Sequence, residues 1–186
     1  MGIPTLIKTL TASNSASLAF VDGAASVVLD STYDEYMFVF TDIGPATDNV
    51  DLQFQVNATD DAGGGYDTSL ITSTAFAAIH NEADDTAQLA YESADDLAQS
   101  ASFQNISRNV GNGADESCAG ILHLFSPAST TYVKHWYSRF NGYLHHDYTN
   151  NDFMAGYIND TTAIDEIQFK MSSGNFDGVI QLFGIA

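Results

Sequence analysis

The sequence predicts an all-β chain, a single-domain β-sandwich of jelly-roll-like type. Three observations carry that expectation: apolar and polar residues alternate strictly in several short runs, turn-forming pairs punctuate the chain, and helical periodicity is weak. Many short strands with regular turns and little helix point to a sandwich rather than to an α/β fold. The chain has 186 residues, which fits one domain over 1–186, because a sandwich can run to roughly 200 to 250 residues as a unit. Twelve Phe, nine Tyr and a 45% hydrophobic content supply its core. A chain of this length buries roughly 70% of its unfolded surface and folds without staples. Residues 1–12 read as an N-terminal arm.

In chain order, the first clear strand holds Tyr36, Phe38 and Phe40 on one face and Met37 and Val39 on the other. Apolar residues at both parities predict a central strand covered on both sides. Asp42 to Asp48, with Gly44-Pro45, then turns the chain. Val50, Leu52, Phe54 and Val56 alternate with Asp51, Gln53 and Gln55, a strand with one face in the core. Asp60-Asp61 beside Gly63 to Gly65 reads as a hairpin tip. Glu82 to Gln99 contains neither Gly nor Pro, and a short helix or an acidic loop fits it equally. Gly111-Asn112-Gly113 and Ser126-Pro127 flank a strand over 117–125, which places Cys118 as a small core residue. At the C-terminus Ile167, Phe169 and Met171 alternate with Glu166, Gln168 and Lys170, and Val179 to Ile185 continues as a more apolar strand.

The formal net charge is −19, from 24 acidic against 5 basic side chains. No Lys or Arg falls between Lys8 and Arg108, so one surface is expected to be strongly anionic. Such a balance repels phosphate backbones and anionic lipid surfaces, which argues against nucleic-acid and membrane partners. One cysteine makes no intramolecular disulfide. The first fifteen residues lack the cationic start and apolar run of a signal peptide, so the chain reads as soluble and unexported.

The richest chemical cluster runs from Lys134 to Tyr148 and includes Trp136, Tyr137, Arg139, Tyr143, His145, His146 and Asp147. Trp, Tyr and Arg are the types enriched where proteins meet, and aromatic rings also stack on sugars. Trp136, Tyr137, Arg139, Tyr143 and His145 are therefore the expected subunit or glycan contacts. His145 and His146 point to opposite faces of an extended segment, so only one could join His135 on a metal, and no metal site is expected. Asp84-Asp85 and Asp95-Asp96 offer oxygen ligands but lack EF-hand spacing, and they read as a solvated loop. No nucleophile-and-base pair or facing carboxylate pair has a recognisable spacing, and no cofactor motif occurs. The expectation is a protein that is not an enzyme.

Three stretches together resemble a group of small all-β virion proteins of tailed bacteriophages. They are Tyr33 to Phe40 with Asp42 to Asp48 and Val50 to Val56; the glycine-rich Asp60 to Asp67; and, most specifically, Ala163 to Ile185 with its Ser172-Ser173-Gly174-Asn175 turn and Leu-Phe-Gly-Ile ending. The matching positions carry no chemistry in that group. The resemblance implies a structural component made in the bacterial cytoplasm and carried on the outer surface of the particle. Its partners would be the major capsid protein or other virion proteins, and a homo-oligomer, with a trimer favoured, is expected. A capsid decoration or cement protein is the leading expectation. The alternative is a tail or fibre component that binds host-surface glycans.

Overall fold

The computed structural model describes residues 2–60, 66 and 69–186. Twelve strands occur among them, and no helix: β1 (Thr5–Ser15), β2 (Leu18–Val21), β3 (Glu35–Pro45), β4 (Val50–Ala58), β5 (Ile71–Asn81), β6 (Ala87–Tyr91), β7 (Gln104–Val110), β8 (Cys118–Phe125), β9 (Lys134–Leu144), β10 (Tyr148–Ile158), β11 (Ile164–Met171) and β12 (Phe176–Ile185). The glycine-rich tip expected at 60–67 falls largely on residues 61–65 and 67–68, outside the described residues.

Every pairing is antiparallel. A wide layer runs β1-β12-β3-β8-β9 and continues through β10 and β5 to β6. A narrow layer runs β7-β4-β11-β2. The layers join where Val110 of β7 pairs with Leu144 of β9, and β2 approaches β1 at the far end, so the sheet nearly closes on itself. The chain is thus one β-sandwich with barrel-like closure.

Between the layers the inward parity of each strand fills with aromatic side chains. Phe169 of β11 sits at the centre, with Phe40 at 4.9 Å, Phe38 at 5.2 Å, Phe20 at 6.2 Å and Phe54 at 6.5 Å, mostly edge to face. That geometry sets the positive ring edge against the negative ring face and adds about 0.5–1.5 kcal/mol per pair beyond burial. The Ser172-Ser173-Gly174 turn joins β11 to β12 as expected, with Gly174 at φ 75°. Gly178 has φ 134° at a register break in β12, where a Cβ would lie 2.6 Å from Ile43 Cδ1.

Three expectations change. Residues 5–12, expected within an arm, pair along β12 as an edge strand from Thr5↔Gly184 onward, because backbone ladder bonds hold a segment whose side chains bury little beyond Ala12. The 82–99 segment is neither helix nor loop throughout: Ala87 to Tyr91 add a strand to β5, where the backbone groups find ladder partners. The turn before it is closed by Asn81, whose Oδ1 accepts from the Asp85 and Thr86 amides. The strand carrying Met37 and Val39 is central, between β12 and β8, yet its outer face is only half-buried.

Candidate functional site

Strand β9 alternates without a break, which sorts the expected contact residues by parity. Lys134, Trp136, Ser138 and Phe140 point inward, while His135, Tyr137, Arg139 and Asn141 point outward. Trp136 is therefore no surface contact: it is 2% exposed, its ring 5.0 Å from that of Phe54. Tyr137, Arg139 and Tyr143 share the outer face. His145 lies in the β9–β10 turn, its ring against His146 at 3.7 Å and its Nδ1 3.4 Å from the Asn109 carbonyl oxygen. His135 stands at the opposite end of β9, roughly 30 Å away at about 3.3 Å per residue. No group of three metal-ligating side chains occurs among the described residues.

Strand register places a wider set of side chains on that same outer face, and sequence reading passed over most of them. Phe183, Met37, His123 and Tyr137 stand abreast on β12, β3, β8 and β9. In the neighbouring row Val39, Ile121, Arg139, Phe153, Phe76 and Tyr91 cross six strands from β3 to β6. Phe76 stacks on Phe153 at 4.9 Å, and the Arg139 guanidinium lies 5.0 Å above the Phe153 ring. The Tyr137 ring covers His123 at 4.5 Å, and His123 Nδ1 pairs with the Glu35 carboxylate. Burial first, and then the Glu35 charge, push the Tyr137 phenol up. Phe76 is 42% exposed, Tyr137 41% and Tyr91 57%. The signal for this stripe was in the sequence, as apolar residues at both parities of β3 and β8.

At one end of the face, where the β5–β6 and β9–β10 turns meet, lies a pocket of about 400 Å³ whose lining includes His80, Glu82, Ala119, Asn141, Tyr143 and Thr149. The two turns are tied by the Glu82 amide donating to the Asp147 carbonyl at 3.0 Å. The Tyr143 amide donates to the Ser117 carbonyl at 2.9 Å, and its hydroxyl faces Glu82 Oε1 at 3.1 Å and Asp147 Oδ1 at 3.2 Å. Partial burial, followed by these two carboxylates, pushes the phenol up to about 12, so it stays a neutral donor. Both amide hydrogens of Asn141 are engaged, by Thr149 Oγ1 and the Asn150 carbonyl, each at 2.9 Å, which leaves Oδ1 as the acceptor open to a ligand.

The strongest charge cluster is buried and structural. Arg108 of β7 reaches Asp152 at 2.8 Å, Glu92 at 2.9 Å and Asp95 at 3.3 Å. Asp95 is therefore not part of a solvated loop. Lys134 is also buried, with Nζ donating to the Asp160 and Thr162 carbonyls, and desolvation lowers its pKa. Cys118 is 1% exposed and burial raises its thiol to about 12, which fits a core residue rather than a nucleophile. Comparison of the chain with protein-family models, curated proteins and solved structures finds no match.

Proposed function

We propose that this chain is a non-enzymatic structural protein of a bacteriophage particle, a decoration protein that binds across neighbouring capsid subunits and cements them. The observation that carries the reading is the apolar stripe on the outer face of the wide layer. A chain that places Met37, Val39, Ile121, Phe153, Phe76 and Tyr137 outward across strands β3 to β10, and covers none of them fully, has the surface of a protein that works by contact. Arg139 and the tyrosines within the stripe are residue types that dominate interface energetics.

The strand order supports the same reading. Consecutive strands β1 and β2, β3 and β4, β7 and β8, and β11 and β12 fall in opposite layers. We read the order β1-β12-β3-β8 over β2-β11-β4-β7 as jelly-roll-like, with β5–β6 and β9–β10 as inserted pairs that widen one layer. Jelly rolls are recurrent in viral capsid and lectin domains.

Cementing works by mass action: a partner that binds only the assembled shell stabilises it in proportion to occupancy and differential affinity. Particles with and without the chain, heated until they release their DNA, should rupture at different temperatures, and adding back purified protein should restore the higher threshold. Ile121→Asp, which puts a charge in the middle of the stripe, should abolish the restoration while the isolated chain stays folded. Identical rupture thresholds would remove the cement role.

A further inference from the structure

The pocket between the β5–β6 and β9–β10 turns does not belong to the apolar stripe, and its chemistry differs. We propose that it is a binding site for a neutral saccharide, with Tyr143 as the aromatic platform and Asn141, Thr149 and Glu82 as the hydroxyl partners. The inference does not depend on the chain being a particle component.

A pyranose has two kinds of surface: a patch of C–H bonds that packs on an aromatic ring, and hydroxyls that donate and accept at once. The lining answers both. Tyr143 brings a ring, Asn141 Oδ1 and the Glu82 carboxylate bring acceptors, and Thr149 brings a hydroxyl whose oxygen already accepts from Asn141, leaving its hydrogen to donate. An apolar ligand would bury these polar groups without partners and lose the hydrogen bonds they make to water. The volume of about 400 Å³ lies in the range typical of small-ligand sites, roughly 300 to 1,000 Å³.

Neutrality follows from charge. Glu82 lines the pocket, Asp147 lies beside Tyr143, and Asp84 sits 3.1 Å from His80, while no Lys or Arg lines it. A uronic or sialic carboxylate placed there would meet like charge, while the nearest guanidinium, that of Arg139, is held over Phe153 and on Asn151. Arg139 lines the adjoining cleft, which shares Ala119, Asn141 and Thr149 with this pocket, and there its Nε donates to Asn151 Oδ1 at 3.2 Å.

The pocket is also set before any ligand arrives. Backbone bonds from Tyr143 to Ser117 and from Glu82 to Asp147 fix the walls, and the Asn141 amide is oriented by its two donor bonds across to β10. Groups already held in place lose little freedom on binding. The small side chain of Ala119, exposed among the lining residues, leaves a ring room beside Tyr143.

The test is a printed glycan array carrying neutral hexose and hexosamine oligosaccharides beside sialylated and uronic glycans, probed with the full chain and four variants. The expected result is retention on one or more neutral glycans and none on acidic ones. Tyr143→Ala and Asn141→Ala should each weaken that binding at least tenfold, and Tyr132→Ala, on the exposed segment between β8 and β9, should leave it unchanged. Circular dichroism of each variant separates lost binding from lost fold, and Tyr143→Phe, which keeps the ring, should retain more binding than Tyr143→Ala. The proposal fails if no neutral glycan is retained, if acidic glycans are preferred, or if folded Tyr143→Ala and Asn141→Ala bind like the parent chain.

Discussion

Two regions between the same layers are held by opposite physics. Around Phe169 the contact is dry, with Phe20, Phe38, Phe40 and Phe54 packed around one ring. Around Arg108, where β7 lies against β10 and the segment after β6, three carboxylates converge on a single guanidinium. The aromatic region spreads its stabilisation over many modest contacts, each replaceable in part by repacking. The ionic region concentrates it on one side chain, one of only five Lys and Arg in the chain. Since Asp152 belongs to β10 and Glu92 and Asp95 follow β6, Arg108 fastens the added strands to the body of the sandwich. The aromatic region shapes that body.

Arg108→Met sharpens this contrast most. It removes the cation and leaves Asp152, fully buried, and Asp95 without their compensating charge, at an expected cost of about 3–5 kcal/mol by urea denaturation. Hydrogen exchange should show amides of β5, β6 and β10 losing protection while those of β3 and β12 keep theirs. Uniform loss across all strands would break the division into body and added strands. Phe169→Ala should cost about 3 kcal/mol or somewhat more, through lost burial and the cavity left among four rings, and its effect should be global, lowering protection in both layers together.

Sequence reading reached the body better than the added strands, and the reasons are physical. Period-two alternation from Val50 to Val56, and the Ile167-Phe169-Met171 strand with its Ser-Ser-Gly-Asn turn, are local patterns set by one buried face, and both strands lie where expected. Gln55 on the opposite parity read as solvent-facing, yet it is buried, its Nε2 donating to the carbonyls of Ala101 at 3.1 Å and Ser102 at 3.2 Å. That covering segment is distant in sequence and leaves no local trace. Residue type alone groups Trp136 with Tyr137 in one contact patch. Parity alone would have separated them, but Lys134 at an inward position disguised the phase of β9. Arg108 stood out only as a lone cation after a long acidic stretch, and which carboxylates would meet it depended on non-local pairing.

The smallest effect tests the rim of the aromatic region through Tyr36, which is fully buried and whose hydroxyl donates to the Asp30 carbonyl at 2.8 Å. Burial first, and then the Asp30 charge, hold its phenol up at about 12, against roughly 10 in the unfolded chain. Between those values the folded state keeps a proton that the unfolded state has released. The stabilisation is therefore complete below pH 10 and is lost as pH rises through 12, by on the order of 2–3 kcal/mol. Urea midpoints measured at pH 9, 10 and 11 should fall progressively. Tyr36→Phe should cost about 1 kcal/mol at neutral pH for the lost hydrogen bond and make the alkaline decline shallower. Some decline should persist in that variant, because burial and nearby carboxylates also raise Tyr143 and Tyr66. An unchanged alkaline slope in Tyr36→Phe would mean that Tyr36 ionises as readily as a solvated phenol, and that water reaches the rim of the aromatic region.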